Sequence, residues 1–281
     1  MKTVRHNVIC ICGNESLESV FLFKKPPVHE RTFALAEGCQ YLREIVRCNR
    51  CGHFLSIHDF DTSSLYLEDY VNANYCDEGG IRETFERINS LDPSKSDNCG
   101  RVARILEFSV AHFAQSGFRD YPMEILDVGS GLCVFLHKMK TAGWNCTAVD
   151  PDIRNINHAR KFVGVKGIHG NFNDIIYNNR FDVVTFNKVL EHIENPVRFL
   201  TKARECIKPG GFLYVEVPDG EVAVSYGYDR EEFTIDHVHV YSAASLAINI
   251  EKSGFQLICM ERTREPSGKC TLRAFLKLKE G

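Results

Sequence analysis

The sequence carries no excess of positive charge. Its 34 lysines and arginines are outnumbered by 37 aspartates and glutamates, for a formal net charge of -3. That balance argues against a strongly basic nucleic-acid surface, and no nucleic-acid partner is expected. No apolar run is long enough to span a bilayer, so no membrane partner is expected either. The amino terminus, MKTVRHNVICICG, holds only a short apolar run, too short for a signal-peptide core, and a cytoplasmic location is the expectation. Internal repeats and low-complexity tracts are also absent. In that compartment the 12 cysteines read as reduced thiols or metal ligands, not as disulfides. What remains is the composition of an ordinary globular protein, 44% hydrophobic and 25% charged, and 281 residues suffice for a main domain with an appendage.

The chain divides by pattern. Residues 1–60 hold five cysteines, Cys10, Cys12, Cys39, Cys48 and Cys51. Residues 61–122 have helix-like periodicity with a polar break, DPSKSDNCG, and read as a helical lid or linker. From residue 123 to 281, short apolar runs (MEILDV, NCTAVD, FDVVTFN, GFLYVEVP) alternate with amphipathic stretches such as GLCVFLHKMKTAG and NPVRFLTKARECI. That alternation predicts an α/β fold, a parallel sheet with helices on both faces. The last two apolar runs, FQLICMERT and TLRAFLKLK, have no helix between them and predict an antiparallel pair closing the sheet.

A further absence narrows the ligand. The stretch ILDVGSGLCVFL, residues 125–136, reads as a buried strand, a glycine turn and a helix. Gly129 and Gly131 fit the first two positions of G-x-G-x-x-G, where glycine lets a ligand approach the backbone. The last position is Val134, so the pyrophosphate fingerprint is broken and a dinucleotide oxidoreductase is disfavoured. A methyl donor such as S-adenosylmethionine has no pyrophosphate and suits such a turn. Asp127, just before the turn, supplies a negative charge directly or by ordering the loop. Asp150 lies 19 residues beyond Gly131, at the end of the second strand, where one carboxylate can accept from both hydroxyls of a ribose.

ILDVGSGLCVFL, AVDPD, FDVVTFNKVLEHIENP and IKPGGFLYVEVP occur in an order and spacing that resembles class I S-adenosylmethionine-dependent methyltransferases, over roughly residues 123–278. The resemblance implies a Rossmann-like seven-stranded sheet and S-adenosylmethionine as cofactor. It implies that Gly129, Ser130 and Gly131 face the methionine end, and Asp150 and Pro151 the ribose and adenine. Asn171 and Phe172 would flank the adenine. Asn187, Lys188 and Val189 would line the sulfonium region, with Glu191 and His192 nearby; His192 is a candidate catalytic residue whose alternative role is to shape its loop.

Cys48-x-x-Cys51-Gly52 is a good half of a zinc site, because thiolates at that spacing can turn onto one ion. Cys10-x-Cys12-Gly13 is one residue shorter than the usual other half, and His6 or Cys39 could replace Cys10. The segment is too small to bury much core, so a structural zinc would supply its stability. The arrangement resembles the zinc-ribbon-like amino-terminal module of bacterial sugar methyltransferases. Sugar C-methyltransferases with that module continue into a further carboxy-terminal domain that this sequence lacks, which turns the expectation away from C-methylation.

Two segments are candidates to surround the acceptor. Tyr66, Tyr70 and Tyr75 precede the core, where related enzymes fold an aromatic lid over the cofactor; aromatic faces also hold sulfonium cations, and core packing is the alternative for each. YDREEFTIDHVHVYSAASL resembles the H-x-x-x-F-S stretch of sugar-directed enzymes. His237 and His239 alternate within it and would share a face of an extended segment, offering a base for a hydroxyl acceptor, His237 ahead of His239. The expected activity is O-methylation of a sugar, nucleotide sugar or related small metabolite. The alternatives are a C- or N-methyltransferase and a non-catalytic cofactor-binding zinc scaffold.

Overall fold

Three strands open the chain: β1 (Leu17–Phe23), β2 (Arg43–Cys48) and β3 (Phe54–His58), paired antiparallel in that order. The computed structural model describes residues 8–27, 30, 40–59, 78–114, 121–178 and 180–279. Among the described residues two helices follow, α1 (Glu78–Asn89) and α2 (Asp97–Ala114), and then the alternating part that the sequence pattern predicts. Its elements are β4 (Glu124–Val128), α3 (Val134–Thr141), β5 (Asn145–Asp150), α4 (Ile153–His158), β6 (Lys166–His169), β7 (Phe181–Asn187), α5 (Pro196–Ala203) and β8 (Ile207–Pro218). A two-residue strand β9 (His239–Val240), α6 (Ala243–Lys252), β10 (Phe255–Arg264) and β11 (Cys270–Leu278) complete it.

The large sheet has the order β10-β11-β8-β7-β4-β5-β6. Strands β8, β7, β4, β5 and β6 run parallel, and β11 is antiparallel to both β8 and β10. The fold is thus the seven-stranded, Rossmann-like α/β sheet expected, including the antiparallel pair at its edge. Both faces of β4 are buried, as in a parallel sheet covered by helices. Ile125 packs with Ile105 of α2, Leu136 of α3 and Ile156 of α4. Leu126 and Val128 pack on the other face with Phe199 of α5 and Leu246 of α6. The chain moves outward through β4, β5 and β6, then returns to lay β7 against the other side of β4. That reversal opens a crevice beyond the carboxyl ends of β4 and β7, the place where such sheets bind ligands.

The small sheet has four strands, β1-β2-β3-β9, and the fourth comes from residues 239–240. Phe54 pairs with Val240 and Leu55 with His239. Around this seam Phe54, Phe233, Ile235, Val240 and Ala223 form one buried cluster. The Phe54 ring lies so close to the backbone that a Cβ at Gly220 would sit 2.6 Å from its Cδ2, so only glycine fits there. Arg43, fully buried, forms an ion pair with Glu30 at 2.5 Å and donates to the Phe233 carbonyl at 2.8 Å. The amino-terminal sheet is therefore built into the segment after β8. Phe54→Ala should lower stability by about 3–5 kcal/mol in denaturant unfolding. It should also speed amide exchange at Val238–Tyr241 more than in β4; equal effects on both would show that the seam has no local role.

Candidate active site and metal centre

The glycine turn is held from two directions. Gly129 has φ +68°, and a Cβ there would lie 2.8 Å from Val189 Cγ2, so both conformation and space demand glycine. Asp150, at the end of β5, accepts from the Gly131 N–H at 2.8 Å, the Asp152 N–H at 2.9 Å and the Asn155 amide at 3.1 Å. Burial raises its pKa, and these three donors oppose the rise. Asp150 therefore already orders the turn that it borders. Asp127 lies deeper. It accepts from the Thr185 hydroxyl at 2.6 Å and the Asn187 amide at 2.7 Å, and burial pushes its pKa up to about 7. These contacts tie the ends of β4 and β7 together.

Beyond these strand ends is a cavity of about 410 Å³. Gly129, Gly131, Asp150, Pro151, Asn171, Phe172, Lys188 and Val189 all line it. Asp127, Ser130 and Asn187 do not; the Asn187 amide is turned toward Asp127, and the Ser130 hydroxyl is buried without a partner among the described residues. Tyr66 and Tyr70, like Tyr75, His6 and Cys39, lie outside the described residues. A second cavity, of about 310 Å³, is lined by Glu191, Glu232, Asp236, His237, Lys269 and their neighbours. Lys188 and His192 line both cavities. Lys188 holds this position with a φ of +59°, a left-handed conformation uncommon outside glycine and a sign of local strain.

The two histidines of the 230–242 segment part company. His237 lies in a turn, not on an extended run, so the shared face expected from their alternation does not form. Its Nδ1 lies 2.8 Å from the Glu232 carbonyl, which makes Nδ1 the protonated nitrogen and leaves Nε2 as an acceptor. Burial, aided by His192 with its ring centroid 4.9 Å away and opposed by Asp236, holds its pKa down to about 4. His192 points Nδ1 at the Asp236 carbonyl, 2.8 Å away. His239, by contrast, faces the small sheet. Its Nδ1 is 2.9 Å from His53 Nε2, and its Nε2 is 3.3 Å from the Glu194 carbonyl. His53 in turn contacts the Ser245 hydroxyl at 3.0 Å. Both nitrogens of His239 are thus committed to protein partners, and it lines neither cavity.

The sulfur atoms of Cys10, Cys12, Cys48 and Cys51 lie within 4.8 Å of one another. Cys10 and Cys51 are 3.5 Å apart, and Cys12 and Cys48 3.6 Å. Tetrahedral zinc with Zn–S bonds of about 2.3 Å needs edges of about 3.8 Å, so the four thiols fit that ion. The Cys51 carbonyl accepts a 2.5 Å bond from the hydroxyl of Ser242, the residue that caps α6. Neither His53 nor Ser242 stood out in the sequence, since each is defined by a partner nearly two hundred residues away. The double position of Lys188 was equally hidden, although its place beside Asn187 at a strand end was a usable signal.

A family model described as a methyltransferase domain matches residues 99–260, more than half of the chain. The ubiquinone biosynthesis O-methyltransferase of Caulobacter vibrioides is 31% identical over 130 residues, 41% of this chain and 50% of that protein. The chain thus spans about half the length of that curated relative. Among solved structures, magnesium protoporphyrin IX methyltransferase from Synechocystis, with bound S-adenosylhomocysteine, superposes with a TM-score of 0.56 at 12% identity, covering 77% of this chain and 99% of that one. The 1,6-didemethyltoxoflavin N1-methyltransferase of Burkholderia thailandensis gives 0.53 at 15% identity, covering 85% and 96%. At these identities the solved structures show a shared fold.

Metal analysis of purified protein should find about one zinc per chain. Cys48→Ser should lose the metal and loosen the Ser242 anchor, seen as faster proteolysis near residue 240. Wild-type protein that is metal-free and equally resistant to protease would rule out the centre.

Proposed function

The chain belongs to the methyltransferase-domain family, and from that premise we propose that it is an S-adenosylmethionine-dependent O-methyltransferase acting on a small hydroxylated metabolite. The observation that carries the reading is the pair of adjoining cavities sharing Lys188 and His192 as a common wall. The cavity beside the glycine turn is assigned to the methyl donor, and the one beside His237 to the acceptor. A sugar or nucleotide sugar remains the proposed acceptor class, supported by the likeness of the 228–246 segment to sugar-directed enzymes. The O-methyltransferase names of the relatives favour oxygen over nitrogen or carbon as the methylated atom. The four-cysteine cluster is assigned a structural zinc, which requires reduced cysteines and so agrees with a cytoplasmic setting.

When bound, S-adenosylmethionine supplies an electrophilic methyl group on a cationic sulfur. Gly129 and Gly131 give the backbone access it needs, and Asp150 holds the turn while offering its remaining lone pairs to ribose hydroxyls. Phe172 and Pro151 give apolar walls for a flat ring. On the acceptor side, the unprotonated Nε2 of His237 takes the hydroxyl proton as the oxygen attacks, with Nδ1 anchored on the Glu232 carbonyl. Because burial keeps its pKa near 4, this nitrogen is unprotonated throughout the neutral range. Lys188 and His192 hold the wall through which the two ligands meet, so that orientation supplies much of the rate.

Asp150→Ala should weaken S-adenosylmethionine binding by about 1–3 kcal/mol, since it strands the Gly131 N–H and the ribose hydroxyls together. Unchanged affinity by calorimetry would remove Asp150 from the site. His237→Ala should slow methyl transfer to cell-extract acceptors by about a hundredfold or more while leaving donor affinity intact. In the wild type the depressed pKa means that the base form survives mild acid, so the acid limb attributable to His237 should appear only as pH approaches about 4. A variant with wild-type turnover, or one that unfolds, would reject the assignment.

A further inference from the structure

Glu191 lies in the turn after β7, one residue before His192. Its side chain is fully buried, its carboxylate has no hydrogen-bond partner in another described residue, and it lies within 4.8 Å of ring nitrogens of His192 and His237. A buried polar group left so in a folded protein calls for a ligand or another specific cause. Glu191 is among the residues that line the acceptor cavity, while its neighbours Lys188, Val189, His192 and Ile193 line the donor cavity. It therefore stands at the boundary that the methyl group must cross.

The other carboxylates nearby are engaged. Glu231 pairs with Lys269 at 3.2 Å, Glu232 with Arg230 at 2.7 Å, and Asp236 Oδ2 lies 3.8 Å from His192 Nδ1. On the donor side Asp150 accepts three hydrogen bonds, and Asp152 pairs with Arg154 at 2.6 Å. Lys188, the cation common to both cavities, would repel a second positive charge there. A cationic donor thus needs an uncommitted negative group at this boundary, and Glu191 is the carboxylate that fits.

We infer that Glu191 is the counter-charge for the sulfonium, so that the site favours the cationic methyl donor over the neutral thioether left after transfer. This rests on the S-adenosylmethionine reading above. Donor and product share the adenosine and amino-acid groups and differ in one methyl and one charge. Contacts to the shared groups cancel in the ratio of their affinities, and the counter-charge does not. Discrimination of this kind releases product and readmits donor without any movement of the fold.

The test is calorimetry of S-adenosylmethionine and S-adenosylhomocysteine with wild type and Glu191→Gln, a substitution of equal size that removes the charge. At about pH 8 the variant should lose about tenfold in donor affinity while product affinity stays within about twofold, and the retained product binding doubles as the control for folding. A pH series needs no variant to fold. Burial raises Glu191 to about 7, so the carboxylate forms as pH rises. The donor-to-product affinity ratio of the wild type should therefore climb several-fold from about pH 6 to about pH 8. Lys188, His192, His237 and Asp236 face the same boundary, with Glu216 of β8 and Tyr241 acting on Glu191 from behind, and the ratio in Glu191→Gln should stay flat if Glu191 is the group that titrates. Affinities that change in parallel, or not at all, would overturn the inference, as would a flat wild-type ratio. Failure of both ligands to bind the wild type is a separate result that would bring down the cofactor reading and this inference with it.

Discussion

Two residues of backbone pairing tie the molecule together. Phe54 and Leu55 of β3 hold Val240 and His239 of β9, so the small sheet is finished by the very segment that walls the cavity beside His237. Other contacts reinforce the seam: Arg43 on the Phe233 carbonyl, His53 on His239, and Ser242 on the Cys51 carbonyl. A metal at the four cysteines would thereby act on more than its own module. By fixing Cys51 it would fix the cap of α6, and with it the exit of the His237 segment. A two-residue strand has little stability alone, and here it is made firm by a sheet whose own core is small.

The donor side depends on a different constraint, the reversal of strand order between β4 and β7. Asp127 bridges the two strand ends, and Asp150 ties the glycine turn to β5. Close packing of Gly129 against Val189 then brings the turn after β4 against the loop after β7. That loop carries Lys188, Glu191 and His192, the groups shared by or adjoining both cavities. Charge at this junction is unevenly satisfied, with Lys188 in a strained backbone and Glu191 buried without a donor from another described residue. Local rules of stability are broken at a functional junction far more readily than in a core.

What the sequence made legible was whatever is local. The alternation of strands and helices, the closing antiparallel pair, Gly129, Gly131 and Asp150 can all be read within windows of a few residues, because hydrophobic period and turn chemistry are short-range. The cysteine spacing was legible for the same reason, and the structure brings Cys10 and Cys12 to Cys48 and Cys51, while His6 and Cys39 lie outside the described residues. Long-range pairing was not legible. Residues 237–239 alternate like a strand, yet only His239 finds a sheet partner, in β3, while a turn carries His237 to the cavity. The contact between Asp127 and Asn187 is likewise made across the β4–β7 pair and not along the chain.

The central claim is that the two adjoining cavities pass a methyl group from S-adenosylmethionine to a small hydroxylated acceptor. Its most direct test is incubation of the protein with methyl-labelled S-adenosylmethionine and fractionated cell extract, following the label. The account predicts protein-dependent labelling of a small-molecule fraction, in a linkage that resists mild base as an ether does. Label that stays with the donor in every fraction, or enters only macromolecules, would contradict it.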